Sequence, residues 1–208
     1  MDKRMYFLLS ILITILLASF LASILYGPVR IDFIKILRDM FGESVLTDTE
    51  RAIVYNTRMP IAIAALASGS LLGISGFLYQ ILLRNPMGDP YVMGVASISY
   101  TSLVAVAFLA VSIGVFFTYM SFIAPLVVLV VALTYTGVLS LLSYRLSVLQ
   151  ILLVGISLSF AFSGVSILLL SMLPPEVAGY LAVALMGSFE GVGQHGSMIL
   201  IISLVIAI

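Results

Sequence analysis

The chain of 208 residues contains no cysteine and no tryptophan, and it has a single histidine. The missing cysteines exclude disulfides, thiol catalysis and cysteine-ligated metal or iron–sulfur sites. One histidine excludes a multi-histidine metal site within one chain. Charge is also scarce, since 9% of the residues are charged and nine basic residues balance nine acidic ones. The sequence therefore offers no basic surface for a nucleic acid, and we expect no cofactor.

Hydrophobic residues make up 62% of the chain, which is more than a water-soluble domain contains. The uncharged stretches are long enough for membrane helices, which need about 20 apolar residues each. They lack the period-two alternation of a β-barrel, and lipid tolerates no unpaired backbone groups. The predicted fold class is an all-α integral membrane protein with about six transmembrane helices. The predicted spans are 5–26, 59–83, 92–111, 119–143, 148–173 and 196–208.

The last of these spans is too short to cross a bilayer. Residues 197–208 form about 18 Å of helix, whereas the hydrocarbon core is about 30 Å thick. A chain end there would leave free carbonyl groups and a carboxylate in lipid. We therefore expect a truncated single transmembrane domain over residues 1–208, either a fragment or one piece of a split protein.

The N-terminus is predicted to be cytoplasmic, because Lys3 and Arg4 precede the first span. Segment 30–58 is then external. It carries five basic residues against the positive-inside rule, but also five acidic ones. The first span also resembles a signal peptide, although its apolar run is longer than the usual 7–15 residues.

Part of the external segment has the pattern of a short amphipathic helix. Apolar residues share one face at helical spacing: Ile34, Leu37 and Phe41. Polar residues face away from them: Lys35, Arg38 and Asp39. This pattern predicts a short helix that lies at the membrane interface. A second short interfacial helix is predicted over 176–190, after the Pro174–Pro175 pair.

Small and hydroxylated residues recur inside the spans. Ala65, Gly69 and Gly73 form a stripe along the second span, which indicates close helix packing. Serines in the third and fifth spans either bond their own backbone or line a weakly polar pathway, and both interpretations stay open. No Asp, Glu, Lys or Arg lies in spans two to five, which argues against a proton-driven carrier. No Ser/His/Asp set can form around the lone His195, so no catalytic residue is predicted and His195 is interpreted as structural.

The loop between the second and third spans carries the most specific motif. Two prolines enclose polar residues that hydrogen-bond local backbone, as in a rigid turn. An alternative role is a docking or gating loop. The motif residues are Arg84, Asn85, Pro86, Asp89 and Pro90.

Several motifs together resemble the FecCD/BtuC-like permease family of ABC importers for iron–siderophore complexes, haem and cobalamin. The family pattern places R-L-P-R before a small-residue helix that ends in glutamine, and then R-N-P-L-A-D-P. The matching segments are Arg58-Met59-Pro60, Gln80, the loop from Arg84 to Pro90, Leu152–Ile156 and Met186-Gly187-Ser188. The likeness covers residues 45–190, and Ile61 replaces the second arginine of the first motif.

The resemblance implies a fold of about ten helices, of which this chain holds the N-terminal portion. It implies a second permease copy, cytoplasmic ABC ATPase subunits and an extracytoplasmic substrate-binding protein as partners. ATP would be hydrolysed on the partner subunit, so the chain itself is not an enzyme. Since the family's ATPase-coupling loop follows the sixth span, the chain as it stands is expected not to couple to ATP hydrolysis.

The resemblance also assigns candidate residues. Arg58 matches an arginine that engages carboxylates on the binding protein. Candidates for the translocation pathway and its cytoplasmic gate are Ser97, Ser147, Val148, Leu149, Gly155, Ser159 and Ser163. The predicted function is a multi-pass permease subunit of the cytoplasmic membrane that works by alternating access. The alternatives are a truncated, non-transporting membrane fragment and, less favoured, an ion-coupled secondary carrier.

Overall fold

The computed structural model describes residues 3–114, 116–189 and 192–207, and the side chains of 116–122, 194 and 195 lie outside the description. This described part of the chain is helical and contains no strand. The helices are α1 (Lys3–Leu25), α2 (Phe33–Met40), α3 (Asp48–Ile53), α4 (Met59–Leu83), α5 (Val95–Ile113), α6 (Phe116–Ser143), α7 (Val148–Ser171), α8 (Pro175–Met186) and α9 (Gly193–Ala207).

Among the described residues, five helical stretches are long and apolar enough to cross a membrane. Four begin and end within a few residues of predicted spans. The remaining one, Asp48–Leu83, begins well before the predicted start at residue 59. It starts there because Thr47 and Glu50 form a capping box, and a π-helical turn, Val54–Arg58, joins α3 to α4 without a break. The charges of residues 48–58 had placed this part of the helix in the predicted external segment.

The chain forms two compact units, and the boundary falls within α4. Residues up to Leu72, together with those from Phe189 onward, form the first unit, and Gly73–Ser188 forms the second. In the first unit, Ile24 of α1, Ile36 of α2, Val54 and Ala62 belong to one buried apolar cluster. This cluster joins the ends of α1 and α4 to the short helix α2.

In the second unit, α5 packs against both α6 and α7. Gly94 before α5 and Gly114 after it have positive φ values of 82° and 78°, so α5 begins and ends at glycines. That explains why the helix starts at Val95 rather than at the predicted residue 92. Helix α8 packs against α5 through Leu181, which is fully buried.

The short helix after the proline pair begins at Pro175, close to the predicted start at 176, and it ends at Met186 rather than at 190. Gly187 has a φ of 80° and terminates it. Glu190, the predicted end of this helix, and Ile208, the end of the last predicted span, lie outside the described residues, as does the side chain of His195. Helix α9, at Gly193–Ala207, has 15 residues.

Candidate functional site

Hydroxyl groups from α5 and α7 face each other across the contact between these helices. Ser97 Oγ lies 2.7 Å from Ser159 Oγ and 3.5 Å from Ser163 Oγ. The Ser163 hydroxyl donates to the Ser159 carbonyl oxygen over 2.8 Å. Three of the residues predicted for the pathway are therefore adjacent in space.

A second layer of hydroxyls lies about one helical turn further along. Thr101 Oγ1 is 2.8 Å from Ser166 Oγ and 3.0 Å from the carbonyl oxygen of Phe162. Ser166 donates to the same carbonyl oxygen. Both hydroxyl side chains are buried, so this layer holds α5 and α7 together. Ser97, Ser163 and the edge of Ser166 border open space.

That space is a cavity of about 250 Å³ whose wall is mostly apolar. Its lining residues come from α5, α7, α8 and the loop before α5. They are Tyr91, Ala96, Ser97, Tyr100, Ser163, Ser166, Ile167, Leu170 and Leu185. A wall of this kind offers hydrogen-bonding groups without a fixed charge. Among the described residues no three acidic or histidine side chains come close enough together to hold a metal ion.

The loop before α5 meets α7 at Gly155. A Cβ atom at Gly155 would lie 3.0 Å from the Met93 Cα atom, so a side chain there would push the Met93 backbone away by a few tenths of an ångström. The Tyr135 hydroxyl of α6 donates to the Met93 carbonyl oxygen over 2.8 Å. At Gly94, whose φ is 82°, a Cβ would lie 2.7 Å from that hydroxyl. Gly155 therefore stabilises the base of the site rather than lining the cavity.

The gate candidates at the start of α7 lie apart from the cavity. Ser147 caps the helix, because its Oγ accepts the Gln150 N–H and the Gln150 side chain accepts the Ser147 N–H. Val148 and Leu149 follow it and are exposed. Sixteen residues of helix separate Ser147 from Ser163, about 24 Å. The gate role of Ser147, Val148 and Leu149 stays a prediction.

Arg58, the predicted docking residue, is buried, with 7% of its surface exposed. Its guanidinium donates to the carbonyl oxygens of Ile24, Leu25 and Val29. The first two of these carbonyls belong to the last turn of α1, where helical partners are missing. In this arrangement the guanidinium satisfies the end of α1, and its docking role stays a prediction.

The motif loop has the local geometry that its sequence predicts. Asn85 Oδ1 accepts the Met87 N–H over 2.9 Å, and Asp89 Oδ1 accepts the Tyr91 N–H over 2.7 Å. Pro86 and Pro90 lie within these turns. Arg84 ends α4 with a positive φ of 45°, a conformation that an arginine rarely adopts. The loop is thus a rigid connection, and its docking or gating role is untested.

A charged cluster in the first unit is centred on Asp39. This residue was predicted to lie on the side of its helix away from Ile34, Leu37 and Phe41, and there its side chain is only 3% exposed. Arg51 Nη2 lies 2.6 Å from Asp39 Oδ1, and the Tyr55 hydroxyl and the Leu46 N–H also donate to this carboxylate. The hydrogen bond from Arg51 holds the pKa of Asp39 below its usual value. The helical pattern did not predict this burial, because Arg51 and Tyr55 come from α3 and from the π-helical turn, beyond the reach of a local pattern.

Several residues of the site were not among the predicted pathway candidates. Tyr100 lines the cavity and donates to the Leu181 carbonyl oxygen of α8, and Thr101 and Ser166 form the buried hydroxyl layer. The spacing of Ser97 and Thr101 on one helix, and of Ser159, Ser163 and Ser166 on another, would have indicated matching hydroxyl faces. Tyr91, in the loop before α5, also lines the cavity.

The sequence pattern of the FecCD transport family matches residues 15–208. The chain is 29% identical over 198 residues to the ferric enterobactin transport system permease protein FepD of Escherichia coli (strain K12). This match covers 94% of the chain and 57% of FepD. The chain is also 32% identical over 93 residues to the vitamin B12 import system permease protein BtuC of Yersinia enterocolitica, covering 45% of the chain and 25% of that protein.

One solved structure resembles the whole fold. It is described as an inward-facing conformation of a metal-chelate type ABC transporter, and it superposes with a TM-score of 0.71 at 22% identity. The match covers 99% of this chain and 60% of that chain. This likeness shows the fold. The chain spans about half the length of the longest-matching curated relative, FepD.

Proposed function

The chain belongs to the FecCD transport family, and from this we propose that it is a membrane-spanning permease subunit of a binding-protein-dependent ABC importer. The proposed substrates are iron–siderophore, haem or cobalamin-type complexes, the classes named for its relatives and implied by its motifs. The observation that carries the proposal is the family match over 15–208, joined to a weakly polar cavity between helices of the same region.

The cavity supports a pathway along α5 and α7. Hydroxyls such as those of Ser97 and Ser163 exchange partners at low cost, whereas a fixed charge would hold a passing substrate. Transport then needs no covalent chemistry in this chain, only a shift between inward-open and outward-open populations.

The proposed partners are those of a complete importer. Cytoplasmic ABC ATPases bias the conformational equilibrium, an extracytoplasmic binding protein delivers the substrate, and a second permease copy completes the pore. The N-terminus is proposed to be cytoplasmic, which places segment 30–58 outside and the motif loop at Arg84–Pro90 inside. Lys3 and Arg4 support this orientation.

Deletion of the gene tests the proposal. Cells with and without it are given a labelled ferric siderophore, labelled haem and labelled cobalamin in separate assays. We expect initial uptake of one of these substrates to be lost and to be restored by the intact gene, but not when the ATPase partner lacks its catalytic residues. Unchanged uptake of all three would support a non-transporting membrane protein. If the intact gene restores uptake even when the ATPase partner is inactive, and uptake depends on an imposed ion gradient, the result would support a secondary carrier.

A further inference from the structure

Helix α2 has two opposite faces, and the protein covers one of them. Ile36 is 3% exposed and packs in the apolar cluster of the first unit, next to the buried Asp39. On the other side, Ile34, Leu37 and Phe41 are 60%, 43% and 81% exposed. A helix of 8 residues thus presents a continuous apolar surface away from the protein.

Helix α2 packs beside the end of α1 and the first turns of α4. Ile36 shares its cluster with Ile24, at the end of α1, and with Ala62, in the first turns of α4. Arg58 donates to Val29 and to the last carbonyls of α1, which keeps the connecting segment at that helix end. Helices α1 and α4 belong to stretches long and apolar enough to cross a bilayer, so α2 packs beside the end of one membrane-spanning candidate and the start of α4 in another.

The charges beside this face are already neutralised. Arg38 Nε lies 3.1 Å from Glu43 Oε2, and Lys35 Nζ lies 3.8 Å from Glu50 Oε1. An acidic protein partner would gain little from cations that are paired within the chain. An apolar face with balanced charges beside it matches a phospholipid interface, which buries the apolar side and leaves the ion pairs in the headgroup region.

We propose that α2 is a lipid-anchoring helix: Ile34, Leu37 and Phe41 insert below the headgroups of the leaflet at which α1 ends. Between α1 and α2, Tyr26 and Val29 are also exposed. The short helix then fixes the depth of the first unit in the membrane. Because the flanking charges are paired, the insertion requires no anionic lipid.

The absence of native cysteine allows a direct test on the full-length protein. Single cysteines replace Leu37 and Phe41 on the outer face, and Arg38 on the polar flank serves as the matched control. Each variant is labelled with a small environment-sensitive fluorophore and reconstituted into phosphatidylcholine vesicles. Lipids brominated near the glycerol end of the acyl chain then act as the quencher.

We expect the label at positions 37 and 41 to lose most of its fluorescence, since the apolar face lies about 5–10 Å into the headgroup–acyl boundary. The label at 38 should be quenched much less. The difference should persist in high salt and without anionic lipid. The unfolding midpoint of each variant is measured in detergent. If the midpoint of Leu37→Cys or Phe41→Cys differs from that of the wild type, Ile34→Cys is used in place of that variant.

Equal quenching at 37, 41 and 38 would overturn the proposal. So would a lack of lipid quenching at 37 and 41 combined with protection of these labels when the substrate-binding protein is added, because that result makes α2 a protein-docking helix. Uptake is measured separately, so this result is independent of the proposed transport function.

Discussion

At the scale of single residues, Gly155 lies where the loop before α5 contacts α7. A Cβ atom there would press on the Met93 backbone, and the Tyr135 hydroxyl of α6 donates to the carbonyl oxygen of the same residue. A methyl group at this position would therefore disturb contacts between the loop, α6 and α7. By contrast, Gly164 on the same helix has no atom within 4 Å of where a Cβ would stand.

Gly155→Ala should destabilise the second unit by about 1–3 kcal/mol, the usual cost of overpacking a core. Gly164→Ala is the matched control and should be neutral or stabilising by up to about 1 kcal/mol, because alanine favours helix. Unfolding of the purified protein in mixed detergent micelles measures both. Equal effects of the two substitutions would contradict the role of the Met93 contact.

Arg58 gives a second test at this scale. Arg58→Ala removes a buried guanidinium from three carbonyl oxygens and should lower the free energy of unfolding by about 1–3 kcal/mol. Arg38→Ala, which removes an exposed ion pair with Glu43, should cost less than about 1 kcal/mol. If Arg58→Ala leaves stability unchanged but weakens binding of the substrate-binding protein, the docking prediction is right and the structural role is wrong.

The sequence predicted the identity of such residues better than their roles. Arg58, Gly155 and Ser159 were selected by motif. Their partners, the α1 carbonyls, Met93 and Ser97, are 33 to 62 residues away along the chain. A motif carries no information on contacts at that separation.

At the scale of helices and their connections, α2 is held to α3 by the Asp39–Arg51 pair. The hydrogen bond from Arg51 lowers the pKa of Asp39 from its usual value near 3.8. A lowered folded-state pKa means that this stabilisation is complete above the unfolded value. It is lost as the pH falls through the lower, folded value.

The wild-type protein should therefore exceed Asp39→Asn in stability at neutral pH, and the gap should close as the pH falls below about 4. Comparing the two proteins cancels the contribution of other carboxylates. The unfolding midpoint, measured from pH 7 to pH 3 in one detergent, checks this expectation. A gap that stays constant with pH would show that the ionised carboxylate of Asp39 does not stabilise the fold.

Helix positions followed from the sequence more closely than helix faces did. The lengths of the apolar runs predicted the membrane helices within a few residues. The thickness of the hydrocarbon core sets the length of a span, and the backbone groups within it must be hydrogen-bonded to each other, as they are in a helix. The start of the long helix at Asp48 was not predicted, since its first turns are charged and precede the apolar run that begins at Met59. The burial of Asp39 was not predicted, because an amphipathic pattern does not show whether its polar face contacts solvent or another part of the protein.

At the scale of the whole molecule, the chain combines a first unit with an exposed apolar helix face and a second unit that carries the cavity. The sequence motifs indicated the family, and the family match confirms it. The sequence did not predict the cavity, because the cavity depends on how the hydroxyl faces of α5 and α7 align. The proposed transport requires that the cavity stays open.

The most direct test of the account fills that cavity. Ser163→Phe places a ring at the cavity wall, and Ser171→Phe adds the same ring at an exposed position of α7 outside the lining set. Both genes are expressed in the deletion strain, and initial uptake of the transported chelate is measured at matched membrane levels. We predict that uptake is lost with Ser163→Phe and retained with Ser171→Phe. Full uptake with Ser163→Phe would contradict a pathway between α5 and α7.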